Sequence, residues 1–398
     1  MTSISGLGLG ANAFQDGMVS GRSALEPVSF DAPEARARIA GTIRGFDAMQ
    51  FIPPARLRRI DRVGRLAVAC GHLLLKDAAI DGVDVIDRDR IGIALGSTTA
   101  GLHTLVPYVD GLIDRGVDGG SAMDFSNTVG NAAASLCGIE LGWRGPNVTL
   151  NYKEASAAAA IAYASSLLLT GQADAIMTGG VEDIEATYFT VHDLFGSLAR
   201  DTGDGEASRP FDRRRNGFVL GTGAFVLLLE TPTSAEGRGA RRHGQLVGIG
   251  ATAGSCRLNA WPNNPGPLAR CMRDALASAG RSAADVAVVF ASANSTPVLD
   301  RTEAAALEAI FGPDGVPVVS VKGALGESGA ATAAAVQVAL QSLRTRRLPP
   351  TVGFSEPDDD CRVDVAAVAR ALPDRPDAVA LINSFATGGT NYSLVVRA

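Results

Sequence analysis

Cysteine, histidine, lysine and aromatic side chains are all scarce in this chain of 398 residues. The five cysteines (Cys70, Cys137, Cys256, Cys271 and Cys361) are scattered, odd in number and without paired metal-ligand spacing. That excludes a disulfide framework and a zinc module, and leaves reduced structural thiols. Only four histidines occur, His72, His103, His192 and His243, none of them in a segment that looks catalytic, which narrows any acid–base mechanism. No uninterrupted apolar run reaches the roughly 18 residues that a membrane helix needs, and the first residues lack the basic segment and cleavage site of a signal peptide. The expectation is a cytoplasmic protein without membrane insertion. A formal charge of −6 gives no global attraction to nucleic acid. The local basic clusters at 56–59 and 213–215 read as solvated faces.

What is present is a large apolar core: 46% of residues are hydrophobic and 20% charged. Short β-rich runs alternate with longer Ala-rich stretches of helical period, the pattern of an α/β protein. Strands are predicted over 91–95, 148–151, 175–178, 225–230, 246–250, 286–291, 318–321, 379–383 and 392–396, and helices over 62–79, 155–170, 267–279, 302–311 and 329–343. The helix after 155 is Ala, Ser, Ile and Leu almost all round, so it is expected to be buried on every side. The helix after 329 has the same character. Two such helices, each behind a short strand and half a chain apart, imply an internal duplication. The polar Pro/Gly connection at 231–239 divides the chain into halves of 1–235 and 236–398.

Six ordered segments carry a resemblance to a known family. Residues 145–157, Gly-Pro-Asn-Val-Thr-Leu-Asn-Tyr-Lys-Glu-Ala-Ser-Ala, read as a strand running into a helix and resemble a nucleophile elbow. Residues 179–182 (Gly-Gly-Val-Glu) look like the turn behind it. The long motif 208–224 ends Gly-Thr-Gly-Ala, and segments 295–307, 321–331 and 383–391 follow in family-like order. Together they resemble the β-ketoacyl synthases of the thiolase superfamily. The resemblance implies a thiolase-like fold, two similar halves each with a mixed sheet, in five αβαβα layers.

The departures from that family fall on its working positions. Glu154 stands where the family places its nucleophilic Cys, Ser292 and Glu327 stand at its two histidines, and Thr222 replaces a Glu. A carboxylate lacks the soft sulfur that thioester exchange requires. Neither Ser nor an ionised Glu can polarise the extender carbonyl as two imidazoles do. Independent Claisen condensation is therefore not expected. The family lysine survives as Lys322, either as a structural remnant paired with Glu327 or Glu154, or as a group that keeps a carboxylate charged. Gly388 and Gly389 could offer N–H donors to an acyl carbonyl or simply form a tight turn. Thr387 occupies the place of the family's gating Phe, and Phe385 and Thr296 lie in the adjoining matched segments.

The resemblance implies a chain-length-factor-like subunit that pairs with an active ketosynthase and shapes the pocket for a chain carried as acyl-phosphopantetheine on an acyl carrier protein. No cofactor or metal is expected in this chain. Segments 148–151 and 125–131 are the expected interface, with Phe125, Asn127 and Thr128 lining or closing a shared tunnel. Two alternatives stand beside it. Glu154 and Glu327 could form a close pair, one neutral acid beside one anionic base, for decarboxylation, dehydration or isomerisation. The chain could also be a homodimeric binder of acyl groups or carrier protein.

Overall fold

The computed structural model describes residues 1–80, 85–312, 315–373, 375 and 377–398. In the first half the principal elements are β1 (Thr2–Ser5), β2 (Gly8–Leu9), α1 (Ala11–Val19), α2 (Arg62–Asp77), β3 (Ile91–Gly96), α3 (Leu102–Arg115), α4 (Ala132–Leu141), β4 (Asn147–Leu150), α5 (Ser156–Leu169), β5 (Ala175–Glu182), α6 (Ala186–Leu194) and β6 (Gly223–Glu230). The second half holds β7 (Gln245–Ala253), α7 (Pro265–Ser278), β8 (Val286–Phe290), α8 (Pro297–Phe311), β9 (Pro317–Val319), α9 (Ala331–Thr345), β10 (Asp364–Val365), β11 (Val379–Phe385) and β12 (Thr390–Arg397).

Two six-stranded sheets result, in the orders β2-β1-β6-β5-β3-β4 and β10-β9-β8-β11-β12-β7. In each, a parallel core (β4, β3 and β5; β9, β8 and β11) continues into antiparallel strands (β6 and β1; β12 and β7). The same succession in both sheets is the duplication written in hydrogen bonds. Helices α2 and α4 cover the outer face of the first sheet, α7 and α8 that of the second, and α5 and α9 fill the space between the sheets. This is the five-layer, thiolase-like α/β arrangement.

Helix and strand assignments at the sheets follow the sequence pattern, with shifts at the ends. Helix α8 begins at Pro297 rather than 302, because proline at the first position has its φ preset and no N–H to satisfy. The strand predicted over 318–321 ends at Val319, and Lys322–Leu325 close into a helical turn. Helix α5 is enclosed only over its first turns: Tyr163 and Leu169 are 43% and 85% exposed. Helices α1, α3, α4 and α6 and strand β1 had no counterpart among the predicted elements.

Small residues set how closely the layers approach. A Cβ on Gly180 of β5 would lie 2.5 Å from the Cα of Ala330 and 3.0 Å from the Cβ of Ala157. One on Gly96 of β3 would lie 2.3 Å from the carbonyl carbon of Ser156. The backbone seals the same seam, with the Ala157 N–H donating to the Gly329 carbonyl at 2.8 Å. Both central helices therefore start at one point, and the loops before them meet there. Overpacking of a close-packed core costs about 1–3 kcal/mol. Gly180→Val is expected to lose at least that much in urea unfolding, and an unchanged midpoint would show that the seam yields.

Candidate functional site: an acidic cluster at the seam

Strand β4 turns into α5 through Tyr152, Lys153 and Glu154. Lys153 takes φ 52, a left-handed conformation that costs energy for a residue with a Cβ and marks a tight elbow. Ser156 braces the turn: its Oγ accepts from the Tyr152 N–H at 2.9 Å and donates to the Lys153 carbonyl at 2.6 Å. The elbow aims Glu154 at the loop after β11. There the Thr387 N–H donates to its Oε2 at 3.0 Å, and the Thr387 hydroxyl reaches both oxygens at 3.3 and 3.1 Å. The N–H of Glu154 itself also favours the charged form. Burial nevertheless raises the Glu154 pKa, and the neighbouring charge of Glu327 adds to the rise against the pull of Thr387 and Lys322.

Glu327 lies on the other side of the cluster and is 2% exposed. Its Oε2 accepts from Lys322 Nζ at 2.8 Å and from Asn294 Nδ2 at 2.7 Å, and its Oε1 from the Ser328 N–H at 2.9 Å. Lys322 Nζ also donates to the Ser292 carbonyl at 2.8 Å. Ser292 is a stitch between strands: its Oγ accepts from the Phe385 N–H at 2.9 Å and lies 3.3 Å from the Phe385 carbonyl. Its own N–H, with that of Ala293 and the Asn383 amide, donates to Glu303. Burial pushes Glu303 up to about 7 and, one turn earlier on α8, Asp300 up to about 6.

The structure thus brings Glu154, Thr387, Lys322, Glu327, Ser292 and Phe385 to one place. It separates the two glutamates by partner. Each carboxylate is satisfied by its own donors, so the hydrogen-bonded Glu154/Glu327 pair expected for an acid–base enzyme is not formed. Lys322 pairs with Glu327 rather than Glu154. Gly388 and Gly389, with φ 86 and 92, spend their N–H groups on the carbonyls of Ala260 and Ala386, both at 3.1 Å. They make a turn, and the donor facing the elbow is Thr387.

Several other candidates fall outside the cluster. Thr222 accepts from the Ile184 N–H at 3.3 Å and lies beside Asp183, which also faces His103 at 3.1 Å and Arg62. Burial opposes ionisation of Asp183, but His103 and Arg62 hold its pKa below the ordinary value. Phe125 is 59% exposed and tilted against Tyr108, Asn127 donates to the Arg59 carbonyl, and Thr128 to that of Phe125. Asn127 is buried, Thr128 half-buried and only Phe125 fully at the surface, and among the described residues none of the three makes a hydrogen bond to the acidic cluster. Thr296 is near it through its N–H, which donates to Asn294 Oδ1 at 3.0 Å, and its buried hydroxyl has no partner among the described residues.

The sequence reading missed Asn294, Glu303 and Glu182. Glu182 was visible only as the end of a turn motif. It is buried, accepts from the N–H and hydroxyl groups of Thr98 and Thr99, and is raised in pKa by that burial. No group of His, Cys, Asp and Glu among the described residues could hold a metal ion.

An elbow at the head of a buried helix, facing a Gly-rich turn and a lysine across a duplicated seam, defines a condensing-enzyme scaffold of the thiolase class. Comparison with known proteins makes the assignment specific. Residues 1–235 match the β-ketoacyl synthase N-terminal domain and residues 243–355 the β-ketoacyl synthase C-terminal domain. The chain belongs to the β-ketoacyl synthase family. It is 32% identical to 3-oxoacyl-[acyl-carrier-protein] synthase 2 of Synechocystis sp., over 98% of this chain and 96% of that protein. The synthase 2 of Vibrio cholerae is 30% identical over 96% and 93%. Among solved structures, the ishigamide ketosynthase/chain length factor superposes with a TM-score of 0.92 at 26% identity, covering 100% of this chain and 97% of that one. A β-ketoacyl synthase from Burkholderia phymatum gives 0.90 at 26%, with the same coverage.

Two outcomes follow for the buried charges. Removing one member of a buried ion pair costs about 3–5 kcal/mol because the other is left uncompensated. Glu327→Ala is expected to destabilise by about that amount in urea titration, and Lys322→Met with Glu327→Leu to recover most of it. Glu303 holds its proton more tightly when folded, with a pKa of about 7 against an ordinary 4.5. Its contribution is full below pH 4.5 and lost as pH rises through about 7, so stability should fall across that window. Glu303→Gln should flatten the fall when unfolding is followed from pH 4 to 8.

Proposed function

We propose that this chain is a non-condensing, chain-length-factor-like subunit that pairs with an active β-ketoacyl synthase and shapes the pocket for an acyl chain held on a carrier protein. The observation that carries the reading is the Glu154 carboxylate on the Thr387 N–H. A backbone donor facing the nucleophile position is the kind of group that would stabilise an acyl oxyanion. Here the chain's own side chain takes it, and the position holds neither a thiol nor a free donor. Glu327 bound to Lys322 and Asn294 puts a second carboxylate where an imidazole would be needed.

The surface supports a paired state. Strand β4 has a single neighbour, β3, among the described residues, so its other edge is open to strand addition. Close by in sequence, Ile113, Val117, Met123, Phe125 and Ile139 are 59–91% exposed. Such an accumulation of exposed apolar side chains marks an interaction surface. The kinship with a solved ketosynthase/chain length factor agrees with a ketosynthase as the partner. The substrate group would be an acyl-phosphopantetheine, as the carrier-protein synthases among the relatives imply.

The test is co-expression with a ketosynthase that has the Cys-His-His set, followed by mass spectrometry of chains on the carrier protein. The expected result is a one-to-one complex in which product length changes with Phe125→Ala or Phe125→Trp, and in which Glu154→Cys restores no condensation to this subunit alone. An isolated homodimer that leaves the ketosynthase's products unchanged would reject the pairing. Turnover of an acyl-carrier substrate by the isolated chain, abolished by Glu154→Gln and by Glu327→Gln, would move the assignment to acid–base catalysis.

A further inference from the structure

The tail of α5 borders a cleft far from the acidic cluster. Glu154 lies at the head of that helix, and Leu168 and Leu169 at its tail, so the two places are about 20 Å apart at ~1.5 Å per residue. The cleft has a volume of about 400 Å³ and is walled by α5, α9, β6 and β7. Its inner surface belongs to the core: Ile161, Leu168, Leu227, Val336, Leu340 and Val396 line it, and all are buried. The apolar run of α5 continues past the enclosed part to Leu169, which lines the same cleft at 85% exposure. A wall packed into a core is already ordered, and a ligand that settles on it has little side-chain freedom to arrest.

The charges around this apolar wall are paired, with one exception. Glu230, the one carboxylate on the lining, accepts from Arg238 at 2.8 Å and from the Ser234 hydroxyl at 3.2 Å. Asp77, which touches the lining through His243 at 3.0 Å, also holds the Met1 ammonium at 2.6 Å. Arg242 faces Glu236 at 3.2 Å. Arg241 lines the cleft, is exposed, and has neither a hydrogen bond nor an ion pair among the described residues. Gln245, also on the lining, gives its oxygen to Arg397 at 2.7 Å, so its NH2 group is left as a neutral donor. An apolar cavity with a few polar groups that fix orientation is the usual build of a small-molecule site, and such sites run to about 300–1,000 Å³.

We propose that this cleft binds a fatty carboxylate, with the hydrocarbon chain among the leucines and the head group on Arg241. The aliphatic wall alone would take any hydrocarbon. The unpaired guanidinium selects among them: its planar fork matches the two oxygens of a carboxylate, gives a neutral head group no charge to pair with, and repels a cationic one. The paired acids leave no free carboxylate on the lining to oppose an anion. The site is separate from the acidic cluster, and its existence does not depend on the chain's role as a ketosynthase partner.

The decisive experiment titrates the full chain with dodecanoate in a calorimeter, with dodecanol and dodecyltrimethylammonium as head-group controls. One dodecanoate per chain is expected, bound at least tenfold more tightly than either control and more weakly as salt rises. Decanoate should bind about tenfold more weakly than dodecanoate, because two fewer methylenes are buried. Arg241→Glu should weaken dodecanoate binding at least tenfold without moving the thermal midpoint, since the residue is exposed and unpaired. Ser165→Trp, on the lining contributed by α5, should fill the cleft and block binding. A diazirine at the end of the fatty chain should label peptides around 161–169, 227–231 or 336–340, which locates the site without any variant. Equal affinity for dodecanol, indifference to Arg241→Glu, or labelling confined to the segments around 154 and 387 would each overturn the assignment. So would the absence of dodecanoate binding below the concentration at which it forms micelles.

Discussion

One buried ammonium organises the centre of this molecule. Of the three lysines only Lys322 is buried, and three carboxyl groups feel its charge: Glu327 in direct contact, Glu154 and Glu303 at longer range. One positive charge cannot balance three negative ones in a low-dielectric interior. The contact pair takes the compensation. The remaining two acids are left to burial, which favours their protonated forms despite several N–H donors. The site is therefore a graded set of acids around a single cation.

That grading explains why the side chains around Lys322 form a consistent whole. A thiol at position 154 would leave the half-buried Thr387 N–H without the acceptor it has now. Glutamate is long enough to reach it, and threonine adds a hydroxyl that a phenylalanine gate could not supply. At position 327 a neutral imidazole would leave the Lys322 charge without its anion. At 292 a serine completes a strand-to-strand link that ties β8 to β11 through Phe385. Glu154, Ser292 and Glu327 are each hydrogen-bonded into their surroundings, so exchanging any one of them also disturbs its partners.

Much of the architecture was legible because periodicity reports burial. All nine predicted strands lie in the two large sheets, and the Ala-rich runs after 155 and 329 became the central helices. Helix α3 escaped because it carries an internal Pro107 and an apolar face that remains exposed, with Val109 and Ile113 pointing to solvent. The site was half legible. Motif order named Glu154, Ser292, Lys322, Glu327 and Thr387, but no spacing could tell which carboxylate would claim the lysine. Asn294 decides part of that question: it supplies Glu327 with a second donor from a loop whose own conformation depends on Asp300 capping the N–H groups of Asn294 and Ser295. Such third-party contacts come from the fold and leave no local sequence pattern.

The duplication gives the cluster its location and its freedom to change. Sheet topology is set by backbone pairing and by small residues such as Gly96 and Gly180, all of which lie behind the site rather than in it. The elbow comes from the first half, while Ser292, Lys322, Glu327 and Thr387 come from the second. A cluster assembled from loop ends across a seam can exchange every reactive side chain without touching a sheet register, provided that charge and hydrogen bonds still close. The closed network around Glu154 and Glu327 ties the loop ends of the two halves together across the seam.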